Sequence, residues 1–159
     1  MLVIAALLAA SSSAVFALTT VTSTFTTTIT IQDTCLISSA ANINFNTQGV
    51  LSANVDRTGT ITVQCTAATT YNIGLNAGTG VGATVAVRKM TSPAPATINY
   101  SLYSDAGYTT VWGNTISTDT VPGTGDGTPI SHTVWARVPA QTTPAAGVYT
   151  DTITVTVSY

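Results

Sequence analysis

Apolar and polar side chains alternate position by position along much of this chain, and the longest unbroken alternation lies near its start. Across residues 19–32, Val21, Phe25, Ile29 and Ile31 occupy odd positions, while threonine holds every even position from Thr20 to Thr30. A period of two is the signature of a strand that buries one face. The stretch contains neither Gly nor Pro, and Asp33-Thr34 ends it just ahead of Cys35.

Shorter alternating runs follow, separated by turn residues. Residues 59–65 set Ile61, Val63 and Cys65 on one face, and residues 70–76 do the same with Tyr71, Ile73 and Leu75. The four residues between them are short enough for a hairpin-type connection. Gly78, Gly80 and Gly82 mark a turn before a strand expected over residues 83–90. Pro93 and Pro95 interrupt, then residues 97–103 alternate through Ile98, Tyr100 and Leu102. Residues 117–129 hold Pro122, Gly123, Gly125 and Gly127 and are read as a loop. A strand is expected over residues 132–138, a linker over 139–147, and a closing strand over 148–159, where Tyr149, Ile153, Val155, Val157 and Tyr159 share a face. No stretch shows useful helical periodicity. Short strands punctuated by Gly and Pro predict an all-β sandwich or barrel.

Composition sharpens that picture. The chain has 159 residues, enough for one ordinary domain. Only 6% of its residues are charged, all six acids are Asp, and threonine is the commonest residue. Threonine suits a pleated surface, and the lack of Glu removes a good helix former. Arg57, Arg88, Lys89 and Arg137 are its four basic residues. They are too few to neutralise a phosphate backbone, so nucleic acid is excluded as a partner. An apolar run at residues 2–10, three serines, and Val15-Phe16-Ala17 form a secretory leader pattern, although no Lys or Arg precedes the run. Residues 1–17 are therefore expected to be a signal peptide. Cys35 and Cys65 fit an oxidising compartment, and a bridge between them stabilises by roughly 3–4 kcal/mol on the chain-entropy account.

Chemistry for catalysis is sparse. His132, the only histidine, sits among strand residues with no acid or nucleophile pattern beside it and is expected to be a packed or solvated strand residue. The glycines at 78, 80 and 82 lack dinucleotide-binding spacing. Asp119 and Asp126 lack calcium-loop spacing, and a single histidine beside two cysteines cannot complete a zinc tetrad. Asn99-Tyr100-Ser101 matches a glycosylation acceptor but falls inside a strand. No catalytic residue and no cofactor is expected. Trp112 and Trp135 are expected in the core, the alternative being a sugar-stacking platform.

The two ends stand out. The closing strand runs to the last residue, and the alternating segment at 19–32 carries none of the charges, prolines or bulges that blunt an exposed edge. Burying Val21, Phe25, Ile29 and Ile31 contributes roughly 6–12 kcal/mol as an upper bound. The segment either completes its own sheet or fills a gap in another copy, and the pattern alone does not choose.

The ordered set Ile43-Asn44-Phe45, Gly59-Thr60-Ile61-Thr62-Val63-Gln64-Cys65, Tyr71-Asn72-Ile73-Gly74-Leu75, Arg88-Lys89-Met90, Ile98-Asn99-Tyr100-Ser101-Leu102-Tyr103 and Trp112-Gly113 resembles the spore coat protein U family, which includes pilins of the archaic chaperone–usher type. The closing stretch from Gly147 through Tyr149, Asp151 and Ile153 to Tyr159 is the most similar. Asn46 after Phe45 departs from the family's usual Phe-Gly. The resemblance implies an incomplete immunoglobulin-like β-sandwich over residues 34–159, preceded by a donor-strand extension over residues 18–33. Val21, Phe25, Ile29 and Ile31 are then the donor anchors, and Tyr149, Ile153, Val155, Val157 and Tyr159 flank the acceptor groove. It further implies a non-enzymatic shaft subunit at the cell surface, supporting adhesion and biofilm formation. Its partners are copies of itself, a periplasmic chaperone, an outer-membrane usher and other pilus subunits. The competing expectations are a monomeric secreted coat or matrix protein and a carbohydrate-binding module.

Overall fold

The structure, a computed structural model, describes residues 16–94 and 96–159. The leader expected at residues 1–17 therefore lies, except for Phe16 and Ala17, outside the described residues. The chain divides into two units, Met1–Thr30 and Ile31–Tyr159. In the first, residues 16–30 form no strand and are exposed throughout.

Ile31–Tyr159 is an all-β sandwich of two sheets, with no helix among the described residues. Its strands are β1 (Cys35–Ala40), β2 (Val55–Cys65), β3 (Thr70–Leu75), β4 (Arg88–Thr91), β5 (Thr97–Tyr103), β6 (Val121–Thr124), β7 (Pro129–Val138) and β8 (Val155–Ser158). One sheet runs β1-β2-β7-β5-β4 and the other β6-β3-β8, every pair antiparallel. Alternation puts Ile61 and Val63 of β2, Tyr100 and Leu102 of β5, and Val134, Ala136 and Val138 of β7 inward. They meet Tyr71, Ile73 and Leu75 of β3 across the sandwich.

Several expectations change. The four-residue link after Cys65 is not a hairpin, because β2 and β3 belong to different sheets and the link carries the chain from one to the other. The loop expected at residues 117–129 contains β6, whose Gly123 lies opposite Tyr71. A side chain there would overlap the Tyr71 ring, so the glycine that reads as a turn is needed for strand packing. Pro122 is tolerated because β6 is an edge strand. Of residues 83–90 only the end forms a strand. β1 has no alternating signature, since Leu36 and Ile37 are adjacent and its register shifts between Ile37 and Ser39. A Cys35–Cys65 disulfide fixes that register, joining residues that lie opposite each other on β1 and β2.

Two buried polar side chains tie the sheets together. Trp112, 1% exposed, donates its indole N–H to the Ile73 carbonyl at 2.8 Å. Arg88 is wholly buried with no carboxylate in contact. Its guanidinium donates to the carbonyls of Asn76 (2.8 Å), Val85 (2.7 Å), Leu75 (3.0 Å) and Trp112 (2.7 Å). Burial pulls its pKa down, and the four carbonyl dipoles offset the lost hydration. Trp135, expected in the core, instead lies on the outer face of β7. There Tyr108 packs edge-on against it and Arg137, ion-paired with Asp56 at 2.7 Å, covers the Tyr108 ring. Strand parity explains the difference, because Val134 and Ala136 take the inward positions.

Two outcomes follow. Replacing both cysteines by serine lowers unfolding free energy by ~3 kcal/mol in urea, since the bridge closes a loop of sequence separation 30. His132 is half-buried, its Nε2 lies 3.0 Å from the Tyr71 hydroxyl, and burial lowers its pKa below the ordinary 6.5. The unfolded chain therefore binds this proton first as pH falls. The stability is complete above pH 6.5 and is lost as pH drops through the lowered folded value. Thermal melts of His132→Gln should lack that slope; an unchanged slope would place it elsewhere.

Candidate functional site

Among the described residues β8 is bonded to a strand along one edge only. Its register on β3 sets Val155 opposite Leu75, Thr156 opposite Gly74, Val157 opposite Ile73 and Ser158 opposite Asn72. In an antiparallel pair, alternate residues turn their N–H and C=O groups to opposite sides. The Leu75 N–H donates to the Gly113 carbonyl at 2.8 Å, and the Ile73 carbonyl accepts from Trp112, so both turn their backbone away from β8. The Asn76 N–H instead donates to the Thr154 carbonyl at 3.2 Å. Thr154, Thr156 and Ser158 thus face β3. The backbone groups of Val155 and Val157 point to the opposite edge, where no strand pairs with them among the described residues.

Beside this edge lies a cleft of about 1370 Å³. Residues 40–49 form one wall and residues 143–153 with Val155 form the other, while Ile61, Leu75, Tyr100, Leu102 and Val134 lie on the floor. The floor residues are each no more than 5% exposed, whereas Ile43, Phe45, Ile153 and Val155 on the walls are only half-buried. Beyond Ala40 the first wall belongs to no strand among the described residues. Ala41 donates to the Thr60 carbonyl, and beyond it Asn46, at φ 60°, turns the chain with its N–H on the Asn44 side chain. Phe45 meets the Tyr100 ring edge-on at 6.4 Å. An apolar cleft with the open edge of β8 on one side and a stretch outside any ladder on the other can accept an extended peptide by strand addition.

The residues expected to flank such a groove are distributed unevenly. Ile153, Val155 and Val157 pack on the core from the β8 wall. Tyr149 and Ile153 line the cleft but precede β8. Tyr159 lies beyond the strand and is 61% exposed. The wall at residues 40–49 was not expected, because only Ile43 and Phe45 alternate there. The residues expected to act as donor anchors are exposed, Val21 by 97%, Phe25 by 89%, Ile29 by 83% and Ile31 by 68%.

Other candidate chemistry is occupied locally. Asp119 accepts the Thr115 N–H at 2.6 Å, and Asp126 accepts the backbone and hydroxyl of Thr128. The Thr128 hydrogen bonds hold the Asp126 carboxyl below its usual range. Among the described residues no group of three or more His, Cys, Asp or Glu gathers to hold a metal. Tyr100 donates its hydroxyl to Asp151 at 2.8 Å, and burial, reinforced by that carboxylate, pushes its pKa well up.

Comparison with known proteins places the architecture. Residues 21–156 match the family model of the Spore Coat Protein U domain. "Protein U" of Myxococcus xanthus is 32% identical over 139 residues, covering 79% of this chain and 77% of that protein. Among solved structures, a chain in the CsuC–CsuE chaperone–tip adhesion subunit pre-assembly complex, from archaic chaperone–usher Csu pili of Acinetobacter baumannii, superposes with a TM-score of 0.62 at 20% identity. The match covers 82% of this chain but 41% of that one, so the likeness is one of fold. On the extent of the family match and the identity to Protein U, the chain belongs to the Spore Coat Protein U domain family.

Proposed function

We propose that this chain is a structural, non-enzymatic pilus subunit that polymerises by donor-strand complementation. Residues 18–33 of one copy fill the cleft of the next, and residues 34–159 form the accepting body. The single observation that carries this is the conjunction of an apolar cleft and a β8 edge unpaired among the described residues with an exposed, alternating, uncapped segment in the same chain. Val21, Phe25, Ile29 and Ile31 supply the apolar side chains. Ile153, Val155 and Val157, with Tyr149 and Tyr159 beyond the strand, flank the receiving edge.

Reach favours exchange between copies. β8 runs toward the end of the sandwich where Cys35 faces Cys65, because Ser158 lies opposite Asn72 near the start of β3. A segment entering antiparallel to β8 would leave Ile31 at the far end of the cleft. β2 alone, which spans 11 residues, is ~33 Å long. Residues 32–34 reach at most ~14 Å. Within one chain that antiparallel arrangement is out of reach; between two chains nothing prevents it. A head-to-tail contact that does not close on itself builds a filament.

The likeness to a chain of the chaperone–tip adhesion subunit complex supports a periplasmic chaperone as transient partner. An outer-membrane usher and other pilus subunits complete the assembly route, with adhesion and biofilm formation at the cell surface as the outcome. The family's spore coat name supports a second reading, a secreted coat protein whose first strand folds into its own sheet. The sugar platform loses support from the placement of Trp112 in the core and from the mutual packing of Tyr108 and Trp135.

A strand-exchanged polymer should run as a ladder of multiples on an unheated denaturing gel and collapse to one band on boiling. Phe25→Asp with Ile29→Asp should abolish the ladder, and a ladder that persists would sink the proposal. Proline separates the two edges of β8. Thr156→Pro removes an N–H that faces β3 and should cost about 1–3 kcal/mol in urea. Val157→Pro removes one that faces the open edge, so it should cost less than Thr156→Pro and keep the tryptophan emission of the folded body, yet lose the ladder.

A further inference from the structure

The cleft poses a mechanical problem. Ile43 and Phe45 on one wall and Ile153 and Val155 on the other are apolar and half-buried, so closing the walls on each other would remove apolar surface from water. What holds the second wall in place is polar. Thr150 exchanges backbone hydrogen bonds with Thr91 at the end of β4, at 2.8 and 2.9 Å. Four residues later Thr154 is held by Asn76, whose N–H donates to the Thr154 carbonyl and whose side-chain oxygen accepts the Thr154 N–H at 2.9 Å.

Asp151 sits between these ties and reaches across to two other elements. Its Oδ1 accepts the Thr79 N–H (2.7 Å), the Thr79 hydroxyl (2.8 Å) and the Thr152 N–H (2.8 Å). Its Oδ2 accepts the Tyr100 hydroxyl at 2.8 Å. Four donors on one half-buried carboxylate are more than a turn cap requires, and they come from the turn after β3, from β5 on the opposite sheet and from the wall itself. Gly78 admits the carboxylate. It holds φ +82°, and a Cβ there would overlap the Asp151 carboxylate. None of these bonds uses the outward backbone groups of Val155 and Val157.

We propose that Asp151 is a positioning residue for strand acceptance, a latch that fixes the 150–154 wall so that the cleft stands preformed for the incoming segment of a second copy. This rests on the strand-exchange function proposed above. A preformed site binds more tightly because the cost of ordering it is already met in the free state. The latch acts through the wall that it fixes.

The test uses the full-length chain carrying Phe25→Asp and Ile29→Asp, so that its own segment does not compete, with a fluorescent synthetic peptide of residues 18–33 as probe. Asp151→Ala should weaken peptide capture by about tenfold or more, the scale of losing charge-assisted hydrogen bonds. Gly78→Ala should do the same by evicting the carboxylate. Asp151→Asn, which keeps an acceptor for Thr79, should restore most of the capture. Asp56→Ala, which breaks the Arg137 ion pair on the outer face, is the control and should leave capture unchanged. If Asp56→Ala weakens capture as much as Asp151→Ala does, the effect is general destabilisation and the latch is refuted. Unchanged capture in Asp151→Ala refutes it directly. Should Asp151→Ala not fold, Tyr100→Phe removes a single hydroxyl from the latch, and capture equal to the parent would overturn the proposal. If the parent itself captures no peptide, the strand-exchange function fails and the latch with it.

Discussion

The backbone groups of Val155 and Val157 are the constraint around which the rest of the molecule is arranged. Their side chains point inward to the core, so β8 cannot be moved without opening it, while their N–H and C=O groups point to an edge that no strand covers among the described residues. An edge of this kind templates further pairing. Proteins that end their assembly as monomers blunt such edges with charge or proline, and residues 152–158 carry neither. The edge is fixed from the other side, where Trp112 and Arg88 take the carbonyls of Ile73 and Leu75 and leave Gly74 and Asn72 to bond β8. Two buried side chains and β6 thereby occupy the other edge of β3.

Arg88 shows how a chain with so few charges uses one of them. A guanidinium buried without a carboxylate is costly unless its donors are met, and here four carbonyls meet it in a planar fork that lysine does not reproduce. Those carbonyls come from the end of β3, the coil before β4 and the Trp112 segment. The arginine thus closes an irregular region that no ladder organises. Asp151 works on a neighbouring stretch with opposite charge, and its field reaches Arg88. On the outer face Arg137 and Asp56 form an ion pair.

Sequence pattern exposed the regular half of this fold and hid the irregular half. β2, β3, β5 and β7 were legible because each buries one face and alternates without interruption, and Cys35 and Cys65 were legible as a bridge because no other partner existed for either. β6 was not, because Val121-Pro122-Gly123-Thr124 spends its residues on fitting against Tyr71 and on tolerating an edge, and both needs look like turn chemistry. β1 was hidden by its register shift. Trp135 was misplaced because parity, not size, decides which face a strand residue takes. On the β8 side of the site, Ile153, Val155 and Val157 were readable from alternation. The opposite wall and the Asp151 latch were not, since the first has almost no periodic signal and Thr79 is 72 residues away from Asp151.

The division of labour between apolar and polar groups follows from what each can specify. Apolar alternation makes both the segment at residues 19–32 and the walls of the cleft adhesive, but adhesion alone is indifferent to register and to partner. Direction comes from elsewhere. The disulfide fixes Cys35 at the end of the sandwich toward which β8 runs, and in the proposed exchange the short link at residues 32–34 limits the reach of the segment before it. The same apolar side chains that would invite disordered aggregation are thereby given one geometry that satisfies the open edge. In the proposed assembly that geometry is supplied by a second chain, so what leaves one copy incomplete is also what gives the next its place.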